Sequence, residues 1–273
     1  MAEAPRRRVL RSVDAAGVAT VTLDRPEKRN ALDDALVDEL LGVVEDLAGD
    51  RSVRVIVVRG NGPSFCAGAD ASGAGSAPPR GALEDRDHML EARFGRFVAL
   101  WDAPQPVIAE VHGHCLGIAV ALCSCADLVV VADDATIGWP LPLGGGVIGP
   151  AFALHVGMRR AKELSFLPVS TLSGAEAAEI GWANRAVPAA SLTEEVRSMA
   201  AQMAAVPAGV LRVKKAAINA VYERLGFREA VRGGATANAL AHTDPEVEAL
   251  RELVRQHGMA GAGRVLRGDP GIS

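Results

Sequence analysis

One pattern constrains the fold of this chain more than any other: a strand period, then a helix period, then an unbroken apolar run. Val18 to Leu23 reads Val-Ala-Thr-Val-Thr-Leu, the alternation of a half-buried strand, and ends in the loop Asp24-Arg-Pro-Glu-Lys-Arg-Asn30. From Asp33 to Ala48, Leu36, Val37, Leu40, Leu41, Val44 and Leu47 recur at helical spacing, with acids in the first turn and Gly49 just past the end. Val53 to Val58 is apolar without alternation, as in a strand covered on both faces. Val107 to Val111 predicts another strand, Gly113 to Gly117 a turn, Ile118 to Cys125 a short buried helix and Leu128 to Val131 a strand again. Strands alternating with helices in this way predict an α/β core.

The 273 residues, 49% of them hydrophobic, suffice for one large domain, or for a domain plus an appendage, and need no disulfide scaffold. Gly60 to Gly81 reads as a long loop rich in small residues, the kind that carries function. Leu90 to Trp101 reads as helix. After Pro150 the balance shifts to helix, with two capping-box patterns, Ser173-Gly-Ala-Glu176 and Ser191-Leu-Thr-Glu194. Gly181 closes a helix and Asn184 to Val187 reads as a short strand. From Thr193 onward the pattern is helical, with Pro207 separating two helices. The division expected is a core over 1–192 and a helical region over 193–273.

Several classes are disfavoured. A formal charge of -4 argues against a nucleic-acid binder that relies on phosphate neutralisation. The longest apolar stretch, Gly117 to Ala132, is broken by Asp127 and is shorter than the ~20 residues of a membrane span. Met1 to Arg8 carries three arginines and leads into no apolar core, so no secretory signal is expected and the location expected is cytoplasmic. Cys66, Cys115, Cys123 and Cys125 lack zinc-site spacing and read as buried, reduced thiols. His112-Gly-His114 has no third ligand at metal spacing, and no metal is expected. Gly144-Gly-Gly146-Val-Ile-Gly149 has the letters of a dinucleotide loop without the preceding strand or the later acid. No serine sits in a G-x-S-x-G turn.

Two segments carry more information together than apart. One is Ser64-Phe-Cys-Ala-Gly-Ala-Asp70, after the Val53 to Val58 strand; the other is Val107-Ile-Ala-Glu-Val-His-Gly-His-Cys-Leu-Gly117, followed by Ile118-Ala-Val-Ala121 and Cys125-Ala-Asp127. Each ends a strand in a small-residue turn where main-chain N–H groups can be left free. Two such groups aimed at one point make an oxyanion hole, and a helix N-terminus adds positive potential. Ordinary strand-to-helix turns are the competing reading of either segment alone.

With Arg25-Pro-Glu-Lys-Arg-Asn-Ala-Leu32 and Leu172-Ser-Gly-Ala-Glu-Ala-Ala-Glu-Ile-Gly181 through Val187-Pro188, these segments resemble the crotonase superfamily, the enoyl-CoA hydratase/isomerase family, from about Val18 to about Asn219. The resemblance implies a spiral of β-β-α units, a helical C-terminal trimerisation region giving a homotrimer or dimer of trimers, and an acyl-CoA thioester held by its carbonyl. Coenzyme A would enter as part of the substrate, with no separate cofactor. By motif, the main-chain donors would be Ala69 and Ile118, while Lys28, Arg29 and Ala31, with Ala67 and Asp70, would line the CoA moiety.

Hydratases of the family use two glutamates, and the matching positions here hold Ala121 and Leu141, neither able to move a proton. A positioned acid or base is worth on the order of 10² to 10⁴ in rate, so the usual hydration is not expected. Substitute groups to weigh are Asp70, His88, Glu110, Asp133, Asp134 and His155. Glu110, a carboxylate in an apolar strand, is either a proton-transfer group beside the acyl pocket or an ion-paired or interface residue. Trp139 could wall the pocket or pack in the core. The function expected is acyl-CoA binding in fatty acid or acyl-CoA metabolism; the alternatives are a binding protein without turnover, or another thioester reaction such as isomerisation, hydrolysis or decarboxylation.

Overall fold

The strand patterns assemble into two sheets in the computed structural model, which describes residues 7–70, 80–142 and 149–268. The strands are β1 (Val9–Val13), β2 (Val18–Leu23), β3 (Val55–Gly60), β4 (Val107–Val111), β5 (His114–Leu116), β6 (Leu128–Ala132), β7 (Thr136–Trp139), β8 (Ser170–Ser173) and β9 (Arg185–Val187). The larger sheet has the order β1-β2-β3-β4-β6-β9, antiparallel only between β1 and β2, and the smaller has the order β5-β7-β8. β5 and β7 are parallel and β8 is antiparallel to β7.

The helices are α1 (Asp34–Gly49), α2 (Ala82–His88), α3 (Phe94–Asp102), α4 (Ile118–Ser124), α5 (Gly149–Val156), α6 (Met158–Phe166), α7 (Gly174–Glu179), α8 (Leu192–Ala204), α9 (Ala208–Arg224), α10 (Phe227–Ala241) and α11 (Pro245–Arg267). Asp33 caps α1 by accepting from Leu36 N at 2.7 Å, and the six apolar residues of its periodic face are all buried. α1 packs beside β1 and β2, α8 lies across β2, β3, β4 and β6, and α10 packs on α2, α3 and α5. Trp101 stacks on Phe227 with ring centroids 4.1 Å apart, joining α3 to α10. The 192/193 division falls at the first residues of α8, whose Leu192, Val196 and Ala200 are buried.

Several elements differ from expectation. β1 has four exposed residues out of five, so no hydropathy pattern marks it, and main-chain pairing to β2 forms it. Gly113 to Gly117, read as a turn, contains β5, and Trp139, read outside any strand, ends β7. The helix predicted from Leu90 begins at Ala82 and passes through one wide turn, Met89–Arg93, before α3. Ser173 and Glu176 form their capping box, but Ser191 does not. Its backbone is helical (φ -102°, ψ -8°) because it ends a tight turn over Ala189–Ser191, so its hydroxyl cannot reach the amides ahead.

Candidate functional site

The loop after β2 is set by backbone conformation. Arg29 and Asn30 are both left-handed (φ 49° and 55°), a conformation asparagine tolerates better than most residues. Asn30 is fully buried; its Oδ1 accepts from Arg25 N at 2.9 Å, and its Nδ2 donates to Asn61 O at 2.9 Å and Ser64 O at 2.8 Å. The loop then zips to the segment after β3: Ala67 N donates to Arg29 O at 2.9 Å, Leu32 N to Gly68 O at 2.7 Å and Asp70 N to Leu32 O at 2.8 Å. Of the residues expected here, Lys28 and Arg29 are exposed, Ala67 is half-buried and Ala31 is buried.

The same segment lies against the β5 turn on its other side. Phe65 N donates to His112 O at 2.8 Å, Cys66 N to His114 O at 2.9 Å, and Leu116 N to Cys66 O at 3.1 Å. Gly68 (φ 98°) backs onto that turn so closely that a β-carbon would stand 2.8 Å from Leu116 O. Gly117 (φ 56°, ψ -120°) makes the corner, its N–H donating to Gly138 O at 2.9 Å, and α4 starts at the next residue without a side-chain cap. Ile118 N–H therefore has no partner within its helix. Ala69 is bridged to Leu32 only through groups of Gly68 and Asp70, which turns its own N–H away from Leu32. Among the described residues neither the Ala69 nor the Ile118 N–H has an acceptor. Two unpaired amides on adjoining turns can bind a carbonyl oxygen or an anion.

The groups that could move protons are mostly engaged elsewhere. Ala121 is half-buried one turn into α4, and Leu141 is buried just after β7. Glu110, only 3% exposed, accepts from the Thr193 hydroxyl at 2.8 Å and pairs with Arg59 Nη1 at 3.5 Å, the arrangement of the ion-paired reading. Asp70 pairs with Arg25 Nη1 at 2.8 Å, a link that sequence reading missed although Arg25 lies in the matched loop. His88 Nε2 lies 2.8 Å from Asp34 Oδ2, and Asp133 and Asp134 are exposed in a turn. His155 Nε2 donates to Ser124 O at 3.1 Å, and burial holds its imidazole below the usual histidine range. Trp139 packs edge-to-face on Phe152, centroids 5.1 Å apart.

His112 and His114 turn to separate partners, Gly62 O at 2.9 Å and the Ser64 hydroxyl at 3.0 Å. Burial, with Arg29 nearby, lowers the His114 pKa. The four cysteines are buried and free, Cys115 Sγ lying 3.8 Å from Cys123 Sγ, and burial pushes Cys66 and Cys125 up to about 12. Most of the Gly144 to Gly149 motif lies outside the described residues. No helix among the described residues is long and apolar enough to cross a membrane.

Comparison with known proteins gives one consistent result. Residues 14–243 match the enoyl-CoA hydratase/isomerase family. An enoyl-CoA hydratase structure from Mycobacterium smegmatis superposes with a TM-score of 0.86 at 30% identity, covering 97% of this chain and 96% of that one. A hydroxycinnamoyl-CoA hydratase-lyase from Pseudomonas fluorescens is 32% identical over 73% of this chain and 74% of its own. A (7aS)-7a-methyl-1,5-dioxo-2,3,5,6,7,7a-hexahydro-1H-indene-carboxyl-CoA hydrolase from Rhodococcus jostii RHA1 is 29% identical over 77% of this chain and 80% of its own.

Proposed function

The chain belongs to the enoyl-CoA hydratase/isomerase family of the crotonase superfamily, and from that premise we propose that it binds an acyl-CoA thioester whose carbonyl oxygen accepts from the Ala69 and Ile118 N–H groups. The observation that carries this reading is the pair of amides left without acceptors on turns shaped by Gly68 and Gly117. Charge that develops on the thioester oxygen during reaction meets both donors and the N-terminus of α4. One such donor is worth ~2.7 to 4 kcal/mol of transition-state stabilisation. Lys28, Arg29, Ala31, Ala67 and Asp70 line the CoA moiety, with Arg25 holding the Asp70 carboxylate.

Hydration through two glutamates is not the reaction proposed, because Ala121 and Leu141 offer nothing that titrates. An isomerisation, hydrolysis or decarboxylation that relies on the two amides suits the site, and the same absence favours binding without turnover as the second reading. The setting proposed is fatty acid or acyl-CoA metabolism. Buried free thiols fit a reducing compartment, and we place the protein in the cytoplasm. The exposed Val210, Val213, Ile218 and Val221 of α9, with Leu225 just beyond it, support assembly as a homotrimer or dimer of trimers.

The test is a panel of acyl-CoA esters, with binding followed by calorimetry and products by mass spectrometry. Saturable binding of thioesters, stronger than that of free CoA, is expected. A chain that ignores every thioester overturns the reading, and rapid hydration of a short enoyl-CoA overturns the part that rests on Ala121 and Leu141.

A further inference from the structure

Because β5 and β7 run parallel, both leave the small sheet at the same edge. Gly117 and Ile118 follow β5 there, and Pro140 and Leu141 follow β7. β8, antiparallel to β7, enters at that edge, with Ser170 paired to Trp139 and Val169 just before it. The carboxyl ends of parallel strands are where α/β proteins form ligand crevices.

The last stretch of the chain covers this edge. α11 breaks at Gly258 (φ 68°, ψ 171°), a conformation that only glycine adopts without strain. Beyond the break Gly261, Ala262 and Gly263 are buried, while residues 264–267 are exposed. A β-carbon built on Gly263 would stand 3.8 Å from Leu141 Cδ2, 3.8 Å from Val169 Cγ2 and 3.7 Å from Arg267 Nη1. Leu141, the residue at the second family acid position, is thus buried beside residue 263, where a methyl group fits at van der Waals distance from its neighbours.

We infer that the segment after Gly258 forms the wall of the acyl pocket at Leu141, and that Gly263 sets the bulk of acyl group admitted. This rests on the acyl-CoA reading of the site. A methyl group at 263 meets its neighbours at ordinary van der Waals distance and leaves them in place. A larger side chain needs the volume that Leu141 and Val169 occupy. Val169 leads directly into β8 and is held by it, whereas Leu141 lies in irregular chain beyond β7, so Leu141 is the group that yields. It moves into the crevice and shortens the space for the acyl group, so Gly263 acts as a specificity-determining residue through Leu141.

The test uses the full chain with Gly263→Ala, Gly263→Val and Gly263→Leu. Calorimetry compares free CoA, acetyl-CoA, butyryl-CoA, octanoyl-CoA and dodecanoyl-CoA, with circular dichroism reporting the fold. Gly263→Ala is expected to follow the parent. Gly263→Val and then Gly263→Leu lose affinity for the longest acyl groups the parent accepts, by about tenfold or more for leucine, while free CoA stays within about twofold. Adding Leu141→Ala to Gly263→Leu returns the long-chain affinity. Should Gly263→Leu fail to fold, Gly263→Val decides. A folded series with the parent's acyl-length profile overturns this inference alone, as does an equal loss for free CoA. A parent chain that binds no thioester overturns it together with the reading beneath it.

Discussion

The Lys215 ammonium donates to Asp127 Oδ2 at 2.7 Å inside the protein and to the carbonyls of Leu100 and Gln105, both at 3.1 Å. Asp127 also accepts from Val107 N at 2.7 Å, so one buried ion pair ties α9 to the starts of β4 and β6, the strands that bracket α4. On each partner burial outweighs attraction: it raises the Asp127 carboxyl and lowers the Lys215 ammonium.

Removing one partner should therefore cost more than the pair itself is worth. Lys215→Met is expected to lose about 3 to 5 kcal/mol in urea unfolding, because Asp127 stays buried and uncompensated. Asp127→Asn with Lys215→Met should lose less than the two single changes added together. The pH sign follows from the raised Asp127 pKa. The neutral carboxyl favours the folded state, an advantage complete below the unfolded pKa and lost as pH rises through the folded one. Without Lys215 the folded pKa climbs further, so the deficit of Lys215→Met should shrink as pH falls. A deficit independent of pH would contradict this.

Asn30 should prove as important as any charged residue of its loop. Its side chain satisfies Arg25 N, Asn61 O and Ser64 O, and its left-handed backbone turns the chain toward Ala31. Asn30→Ala leaves buried polar groups unpaired at about 1 to 3 kcal/mol for each group that water cannot reach. Thermal unfolding should show a loss of at least about 2 kcal/mol, and calorimetry should show weaker CoA binding as the loop loses its fixed shape.

Two histidines shape the stability profile just below neutral pH. His114 and His155 both have folded pKa values below the ordinary one, through burial. A depressed pKa contributes stability that is present above the unfolded value, near 6.5, and lost as pH falls through the folded value. Stability from urea unfolding should thus decline below about pH 6.5, with a slope of at most ~1.4 kcal/mol per pH unit from the well-buried His155 and only a fraction of that from the partly buried, solvent-screened His114. His155→Gln should flatten part of that decline.

Sequence reached the parts of this protein that local pattern specifies. α1 announces itself by six apolar residues on one face and an aspartate at its cap, and the turns around Ala69 and Ile118 by small residues after strands. β1 stayed hidden because only Val9 of its five residues is buried. The Lys215 to Asp127 pair joins residues 88 positions apart, and Gly263 lies beside Leu141 although the two are far apart in sequence, so no local pattern could report either. Glu110 looked out of place among apolar neighbours because Thr193 and Arg59, which hold it, come from other elements. Ser191 matched a capping letter pattern that its backbone cannot use.

Gly117 offers a way to disturb one main-chain donor. Nothing lies within 4 Å of a β-carbon built there, so Gly117→Ala creates no clash, but φ 56° with ψ -120° is closed to alanine and costs about 1 to 3 kcal/mol. Relaxing that corner swings the Ile118 N–H. If the proposed reading holds, turnover of any productive thioester falls about 10² to 10³-fold, and thioester binding weakens in a chain that only binds. Gly157→Ala is the control for strain: its φ is 80°, its surroundings are also open, and it lies between α5 and α6. It should lose similar stability and keep its affinity for thioesters.

Installing the two missing acids tests what their absence means. Ala121 sits half-buried one turn beyond Ile118, so a glutamate there reaches partial solvent and stays ionised near neutrality. Leu141 is 6% exposed, so burial raises the pKa of a glutamate there, while the Arg267 guanidinium beside Gly263 offsets part of that rise. Two carboxyls with pKa values pushed apart can serve as base and acid for adding water. Ala121→Glu with Leu141→Glu is expected to be less stable than the parent, since a buried polar group costs about 1 to 3 kcal/mol. It should nonetheless hydrate a short enoyl-CoA at least about 10²-fold faster, followed by loss of the conjugated thioester absorbance, with each single change giving much less. A folded double variant that binds the substrate without gaining hydration would show that these two positions do not flank the reacting double bond.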